Sequence, residues 1–178
     1  MVAASAVAGP RPSWADASEE YTQDEIYSAA SGFFGQASEG IAKAIEKVFK
    51  EKGSPNAYIT GEEAGGAVVV GLLYGNGTLH RKKYGNSKIY WQGPSVGFDF
   101  GGNASKTFTL IYNLKRRDEL YQRIPAVDGS LYFIGGVGVN YQQTGNLILA
   151  PIRTGVGYRA GVNIGYQHYG PKHSWVPF

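Results

Sequence analysis

The sequence predicts a mainly β protein: a small, soluble, antiparallel β-barrel of about eight to ten strands, with N-terminal helices and one short inserted helix. Composition is the first reason, because the 178 residues include 26 glycines and 13 tyrosines, and all but five of the glycines follow residue 60. Patterning is the second reason. After residue 56, short runs of apolar and β-branched residues alternate with sequences rich in Gly and Asn, which is typical of strands joined by hairpins.

Nine segments have the alternation and composition of strands. They are residues 57–60, 64–74, 78–84, 88–91, 95–101, 106–112, 130–142, 146–150 and 154–169. Turns are predicted at Gly75-Asn76-Gly77, Gly85-Asn86, Gly102-Asn103 and Thr144-Gly145-Asn146. Because such turns are short, we expect the strands to pair antiparallel and the sheet to close or nearly close.

One face of several predicted strands consists largely of glycine. Between residues 95 and 101, bulky residues alternate with small or polar ones: Val96, Phe98 and Phe100 against Ser95, Gly97, Asp99 and Gly101. Glycine weakens a strand unless the sheet bends or another group lies against it. We therefore expect strong curvature, or a ring, backbone or helix packed closely on the glycine face.

Charge is divided unequally along the chain. Residues 1–20 are small, polar and Pro-containing, and we expect a disordered, export-proximal arm there, ahead of one domain over residues 21–178. Residues 1–63 hold ten acids and five bases, whereas residues 64–178 hold four acids and twelve bases, a net charge of +8. A basic body favours anionic partners such as lipid headgroups or lipopolysaccharide. The alternative is internal, with the acidic N-terminal part packed on the basic body.

The helical signals lie in three places. Thr22 and Glu25 form a capping-box sequence, which predicts a helix over residues 23–34. Residues 39–52 have a strong apolar stripe at helical spacing and predict a second helix. A shorter helical pattern over residues 115–123 precedes a proline, which would end that helix.

The second predicted helix carries lysines on its polar face. Lys43, Lys47 and Lys50 lie opposite the apolar stripe, and two i,i+4 ion pairs are expected, Glu39 with Lys43 and Glu46 with Lys50. Such a helix could lie on a membrane surface. Because its stripe is narrow and its charges are mixed in sign, we favour a lid that packs on the barrel.

Several classes of protein are excluded or disfavoured. The chain has no cysteine, so it has neither disulfides nor thiolate metal sites. No apolar run is long enough for a transmembrane helix. Although the chain ends in Phe178, the alternation expected of an outer-membrane strand fails after two positions, and Pro171 and Pro177 interrupt pairing. We therefore do not expect an integral membrane protein.

One motif suggests catalysis but lacks its context. Residues 93–97 read Gly-Pro-Ser-Val-Gly, the G-x-S-x-G pattern of hydrolase nucleophiles, yet a strand pattern rather than a helix follows Ser95. The three histidines, His80, His168 and His173, have no metal-ligand spacing. We predict no enzyme activity, no catalytic residue, no metal and no cofactor.

Long segments of the sequence resemble one family. Residues 90–114 (YWQGPSVGFDFGGNASKTFTLIYNL), 125–141 (PAVDGSLYFIGGVGVNY), 149–166 (LAPIRTGVGYRAGVNIGY), 56–79 and the terminal WVPF carry the resemblance. They look like the family of Gram-negative periplasmic proteins of unknown function typified by envelope integrity protein A. The resemblance implies a small soluble β-barrel, a periplasmic location and a role in envelope integrity and envelope-stress resistance. It brings no ligand and no catalytic residues.

A weaker resemblance points to lipid binding. The order of Gly-rich strands, a W-x-x-P motif and a short polar insertion is similar to SYLF-type lipid-binding domains. We hypothesise that the barrel binds an anionic or amphiphilic envelope component, either a lipid or lipopolysaccharide; an envelope protein and a pure protein-interaction scaffold are the alternatives. No nucleic-acid partner is expected. The candidate ligand-binding residues are Lys43, Lys47, Lys50, Arg81, Lys82, Lys83, Trp91 and Asp99.

Overall fold

The computed structural model describes residues 19–35, 38–66, 71–95, 104–154 and 165–174. Two α-helices come first, α1 (Gln23–Phe34) and α2 (Glu39–Lys52). The strands that follow are β1 (Ala57–Gly66), β2 (Gly71–Arg81), β3 (Gly85–Ser95), β4 (Ser105–Tyr112), β5 (Arg123–Pro125), β6 (Tyr132–Ile134), β7 (Val137–Val139), β8 (Gln142–Thr144), β9 (Leu147–Thr154) and β10 (Tyr166–Gly170). The mainly β prediction is confirmed.

Both N-terminal helices form where local signals predict them. In α1 the amide of Thr22 donates to Glu25 Oε2 over 2.8 Å, and the amide of Glu25 donates to Thr22 Oγ1 over 3.2 Å, so the capping box is complete. Gly35 ends α1 in the left-handed conformation, at φ 78°. In α2, Ser38 caps the first turn. Neither helix, nor any other in the described residues, combines the length and apolar character needed to cross a membrane.

The ten strands of the described residues form one antiparallel sheet. Its order is β5-β10-β3-β2-β1-β4-β9-β7-β6, and β8 also pairs with β9. An isolated bridge between Ala126 and Gln142, together with a 2.8 Å bond from the Val127 amide to the Tyr141 carbonyl, joins the β5 end to β8. The sheet therefore curls back on itself, and we call it the barrel.

The helices cover one side of the barrel. Residues of α1 and α2 pack with outward-facing side chains of β4, β7 and β9, and with Tyr141 before β8, in one buried cluster: Ile26, Ala30, Ile41, Ala44, Ile45, Val48, Phe108, Leu110, Tyr112, Val137, Val139, Tyr141, Ala150 and Ile152. Strand residues that alternate with these face the other way, because successive side chains point to opposite faces. The helix α2 is thus a lid on the barrel, as the sequence favours.

One predicted turn is wrong. Gly75, Asn76 and Gly77 lie within β2, where they pair with β1 on one side and with β3 on the other. These glycines are required by packing rather than by a turn, because a Cβ at Gly75 would overlap the Trp91 ring and one at Gly77 would overlap the Thr60 carbonyl. Glycine in a strand interior marks such a close approach.

Two other predicted elements are broken up. The strand predicted over residues 130–142 is a hairpin, because Gly135 and Gly136 have φ of 55° and 81°, and two successive positive φ values form the tight turn between β6 and β7. The helix predicted over residues 115–123 is a single 3-10 turn, Arg117–Leu120. It stops early because β5 pairs with β10 and Pro125 disfavours a helical conformation at the residue before it.

Candidate functional site

The inner face of the barrel is filled by side chains. A second buried cluster there comprises Ala57, Ile59, Leu79, Ile89, Trp91, Ile111, Leu114, Leu120, Ile124, Leu147, Leu149 and Tyr169. These residues come from strands on all sides of the curled sheet, so they meet only in its interior. A filled interior favours a protein that binds at its surface over a carrier with a hollow core.

A buried ion pair sits among these side chains. Arg153 Nε lies 2.7 Å from Glu63 Oε2 and Nη2 lies 3.1 Å from Oε1, while the two side chains are only 3% and 1% exposed. Arg153 Nη1 also donates to Asn140 Oδ1 over 2.6 Å. The Glu63 carboxylate further accepts bonds from Trp91 Nε1 at 2.9 Å and Gln167 Nε2 at 3.4 Å. A buried charge persists only with such partners.

The ion pair ties distant strands together. Gln167 belongs to β10, which is separated from Glu63 on β1 by β3 and β2 in the sheet, and Gln142 on β8 donates to Gln167 Oε1 over 2.6 Å. The Tyr169 hydroxyl lies 3.0 Å from Gln142 Oε1. The network therefore crosses the barrel interior and fixes the curl of the sheet.

The candidate site lies at the end of the barrel where β2 turns into β3 and β4 leads into the 3-10 turn. Two open clefts of about 280 and 390 Å³ meet there. Among the described residues, their combined lining has four bases, two acids, two leucines and otherwise polar or aromatic side chains: Glu19, Asn56, Arg81, Lys82, Lys83, Tyr84, Asn113, Leu114, Lys115, Glu119, Gln122, Thr144, Asn146 and Leu147. We call this surface the basic end.

Hydrogen bonds hold the walls of the basic end in place. Asn113 adopts the left-handed conformation, φ 63°, which asparagine tolerates better than most residues, and its Nδ2 donates to the Asn146 carbonyl over 2.8 Å. Asn56 exchanges two bonds with the backbone of Leu114, at 2.7 and 3.2 Å. The amide side chains are thus committed to the backbone, and the shape of the clefts is set before anything binds.

Among the described residues of the basic end, Lys115 is the base whose side chain has no ion pair or hydrogen bond. It lines both clefts. Its amide donates to Glu119 Oε2 over 3.1 Å and its carbonyl accepts from Arg81 Nη2 over 2.9 Å. No ion pair to its ammonium forms within the described parts of the chain. A fixed backbone with an unpaired ammonium is suited to an incoming anion.

The predicted bases of the β2–β3 turn are already used internally. Lys82 lies 3.0 Å from Glu25 and Lys83 lies 2.9 Å from Glu19, while Arg81 stacks on the Tyr84 ring at 4.0 Å. The bond from the Thr22 amide and the Lys82 ammonium lower the pKa of Glu25. The acidic N-terminal part therefore packs on the basic body, which is the internal alternative that the charge asymmetry allows.

The predicted lysines of α2 are largely neutralised as well. Lys43 pairs with Glu39 at 2.6 Å and Lys47 with Glu51 at 2.7 Å. The predicted pair of Glu46 with Lys50 is not among the ion pairs of the described residues, since α2 uses Lys47 and Glu51 instead.

The α2 lid is also tethered to the barrel. The Glu51 carboxylate accepts a short bond from the Tyr141 hydroxyl, and Lys47 and this bond lower the pKa of Glu51. Lys47 additionally lies over the Tyr132 ring, 4.7 Å from its centroid. These contacts hold α2 against the barrel, and they leave Lys47 engaged within the protein rather than free to bind a ligand.

The two remaining predicted site residues differ in outcome. Trp91 is 3% exposed inside the barrel, where it donates to Glu63, so it is not placed to meet a ligand at the surface. Asp99 lies outside the described residues. Trp91 nevertheless explains part of the glycine face, because its ring lies against Gly61 of β1 and Gly75 of β2.

Two of the residues suspected of catalysis or metal binding, Ser95 and His80, lie on the paired strands β3 and β2. Ser95 ends β3 opposite Gly71 in the β2–β3 ladder, an extended position unlike the strained turn of a nucleophile elbow. His80 bonds Thr60 Oγ1 at 2.9 Å and stacks on Tyr58, and burial lowers its pKa. Within the described ranges, no group of three potential metal ligands comes together.

Sequence reasoning missed Lys115 and the Glu63–Arg153 pair. Glu63 lies four residues after the buried Ile59 on β1, and Arg153 lies four residues after the buried Leu149 on β9. Residues an even number of positions apart share one face of a strand, so alternation alone would have directed both side chains inward. Lys115 belongs to a Lys-Arg-Arg run that the helical pattern obscured. Asn113 directly after a long apolar strand was the available signal that the chain turns there.

Comparisons with known proteins agree with this fold. In a crystal structure from Brucella abortus described as a beta-barrel-like, uncharacterized protein, the matched chain has 49% sequence identity and a TM-score of 0.83, with 90% of this chain and 99% of that chain covered. No curated protein matches, and no comparison supports the distant SYLF-type resemblance. The model of the family described as envelope integrity protein A matches residues 19–178. Since that match spans nearly the whole chain, the protein belongs to the envelope integrity protein A family.

Proposed function

We propose that this protein is a non-enzymatic periplasmic component that supports the envelope under stress by binding a phosphorylated headgroup of lipopolysaccharide or anionic phospholipid at its basic end. The observation that carries the proposal is Lys115, whose ammonium is unpaired in the described structure and stands between two open clefts. The family name supplies the envelope setting. Phosphate suits the site because a compact ammonium binds it as a point charge.

The surrounding charges support an anion rather than a neutral ligand. The lining of the two clefts has four bases against two acids, and Arg81 is held at its rim by the Lys115 carbonyl and the Tyr84 ring. An anion that enters here gains attraction from Lys115 at once. It can gain more by displacing Glu19, whose pair with Lys83 is half exposed and therefore weak.

The proposal is tested by charge reversal at the basic end. Lys115→Glu is compared with Lys50→Glu, which makes the same change on the exposed face of α2, in binding to vesicles with and without phosphatidylglycerol and to lipopolysaccharide micelles. A unit charge about 4 Å from a phosphate is worth about 1 kcal/mol in water. Replacing attraction by repulsion therefore weakens binding by roughly 30-fold for Lys115→Glu, whereas we expect Lys50→Glu to change binding little because Lys50 lines neither cleft.

Three outcomes count against the proposal. They are no retention on anionic vesicles or micelles at low salt, equal loss in the two variants, and binding that is insensitive to salt. Equal retention on zwitterionic vesicles would point to a different chemistry. Equal loss in the two variants would indicate that the lysine-bearing face of α2 also contacts the anion.

A protein-interaction scaffold is the second candidate. It is favoured by a group of exposed apolar side chains beside β6, the last strand in the described sheet order: Val127 (39% exposed), Leu131 (37%) and Phe133 (37%). Clustered apolar exposure next to a sheet edge is typical of protein contact sites. If the anion experiments fail, crosslinking from Leu131 in an envelope fraction decides whether a protein partner lies there.

A further inference from the structure

A third cleft, of about 250 Å³, lies on the side of β3 and β10. It is formed by these strands, Tyr121 after the 3-10 turn, and the segment that follows β10. Its lining is Tyr90, Gln92, Tyr121, His168, Tyr169, Gly170, Pro171, Lys172, His173 and Ser174. Half of these residues carry an aromatic ring. We call it the aromatic cleft, and it shares no residue with the basic end.

Ring contacts shape the aromatic cleft. His173 lies edge-on to Tyr90, with centroids 6.0 Å apart and planes at 68°, and it stacks on Tyr74 at 6.0 Å and 9°. These contacts hold the segment after β10 against the sheet. The cleft therefore presents flat apolar surfaces in a fixed arrangement, the usual property of small-molecule sites.

Two polar atoms in the walls of this cleft have no partner. The Tyr121 hydroxyl and His168 Nδ1 are buried and make no hydrogen bond with the described residues. A buried polar atom that lacks a partner destabilises the free protein, so a ligand that bonds to it gains affinity. Both residues are themselves partly exposed and line the cleft, so their polar atoms are the natural partners for a ligand that supplies hydroxyl groups.

We propose that the aromatic cleft binds a single sugar ring of an envelope glycan. A pyranose has an apolar C–H face that packs on aromatic rings and a rim of hydroxyls that bond polar side chains. The volume lies just below the ~300–1,000 Å³ of sites for drug-sized ligands, which suits one ring rather than a lipid tail. Among the described residues of the lining, Lys172 is the one Lys, Arg, Asp or Glu, so the cleft suits a neutral or singly anionic sugar and not a diphosphate.

A purely aromatic ligand fits less well. It would stack on the tyrosines equally, but it would leave the Tyr121 hydroxyl and His168 Nδ1 unpaired. Sites whose polar atoms stay unpaired discriminate strongly against such ligands. Hydroxyl-rich rings satisfy both requirements together.

The test uses saturation-transfer NMR and titration with the whole protein. One arm contains the delipidated saccharide of lipopolysaccharide, the other a peptidoglycan disaccharide, so the source of the sugar is distinguished. Tyr90→Ala removes a stacking surface, and we expect it to weaken binding about tenfold. Tyr27→Ala on α1 is the matched control, because it truncates another partly buried tyrosine and should leave the affinity within about twofold.

The proposal is overturned if neither saccharide gives a saturation-transfer signal, or if Tyr90→Ala and Tyr27→Ala weaken binding equally. Circular dichroism checks that each variant is folded. Should Tyr90→Ala unfold, His173→Ala makes the same test outside any strand or helix, with the same loss expected. Lys115→Glu should leave binding of the peptidoglycan disaccharide unchanged, because this sugar carries no phosphate for the basic end, and this separates the two clefts.

Discussion

Gly75→Ala is the sharpest test of how the barrel interior is built. Gly75 lies on β2, and a Cβ there would overlap the Trp91 indole at less than the 3.0 Å that real Cβ contacts respect. The indole cannot retreat freely, because it is 3% exposed and its Nε1 is bonded to Glu63 over 2.9 Å. The variant must therefore distort the strand or move the ring.

The expected cost follows from those two losses. Overpacking a well-packed core costs about 1–3 kcal/mol, and breaking a hydrogen bond to a charged acceptor costs about 1.5–3 kcal/mol. We expect Gly75→Ala to lower the free energy of unfolding by about 2.5–6 kcal/mol, a large share of the about 5–15 kcal/mol of a typical domain. Gly32→Ala on the exposed side of α1, where a Cβ meets nothing within 4 Å, should instead raise it by about 0.5–1 kcal/mol.

Urea unfolding followed by far-UV circular dichroism measures both changes. The decisive comparison is Gly75→Ala in a Trp91→Leu background, because a smaller side chain at residue 91 makes room for the new methyl group. We expect the two substitutions together to cost much less than the sum of their separate costs. A loss below about 1 kcal/mol for Gly75→Ala alone, or additive losses, would show that the indole does not require glycine at residue 75.

Two further predictions concern the buried polar groups. Arg153→Met should cost about 3–5 kcal/mol because it leaves the Glu63 carboxylate buried without its counter-ion, and Glu63→Gln added to it should recover part of that cost; additive costs in urea unfolding would contradict the pairing. At high pH the tyrosines decide how stability changes: burial raises the pKa of Tyr21 and that of Tyr132 to about 12, above the usual value of about 10. Stability from these neutral groups is complete below about pH 10 and lost as the pH rises toward 12, so tyrosinate absorbance should rise together with unfolding, and a rise without loss of structure would refute this. Burial also raises the pKa of other tyrosines in the same direction: Tyr58, Tyr112, Tyr141 and Tyr169.

The elements that could be predicted are those whose signals are local. The capping box of Thr22 and Glu25 and the apolar stripe of α2 place both helices to the residue, since each depends on neighbours within four positions. The turn at Gly145 also forms as predicted, at φ 55° between β8 and β9. In all these cases the residues that decide the conformation lie inside the element they define.

Glycine shows why other elements could not be predicted. Gly75 and Gly135 look alike in sequence, yet one lies inside a strand under an indole and the other opens a hairpin at φ 55°. The difference depends on Trp91, which is 16 residues from Gly75 in the chain and reaches it only because β2 and β3 pair. A close approach of this kind is a property of the folded sheet, so no local pattern contains it.

The distribution of charge leads to a narrower binding surface than composition implies. The body carries an excess of eight bases, which by itself would favour a broad anionic contact. Lys82 and Lys83 are satisfied by the acidic N-terminal part, and Arg153 is satisfied inside the barrel. What the N-terminal acids do not reach is Lys115, whose backbone is held on both sides. The acidic segment thus occupies the lysines of the β2–β3 turn in the way that a bound anion would. A true anionic ligand therefore has to compete for that turn but finds Lys115 open, and for this reason we expect binding to depend on one lysine more than on net charge.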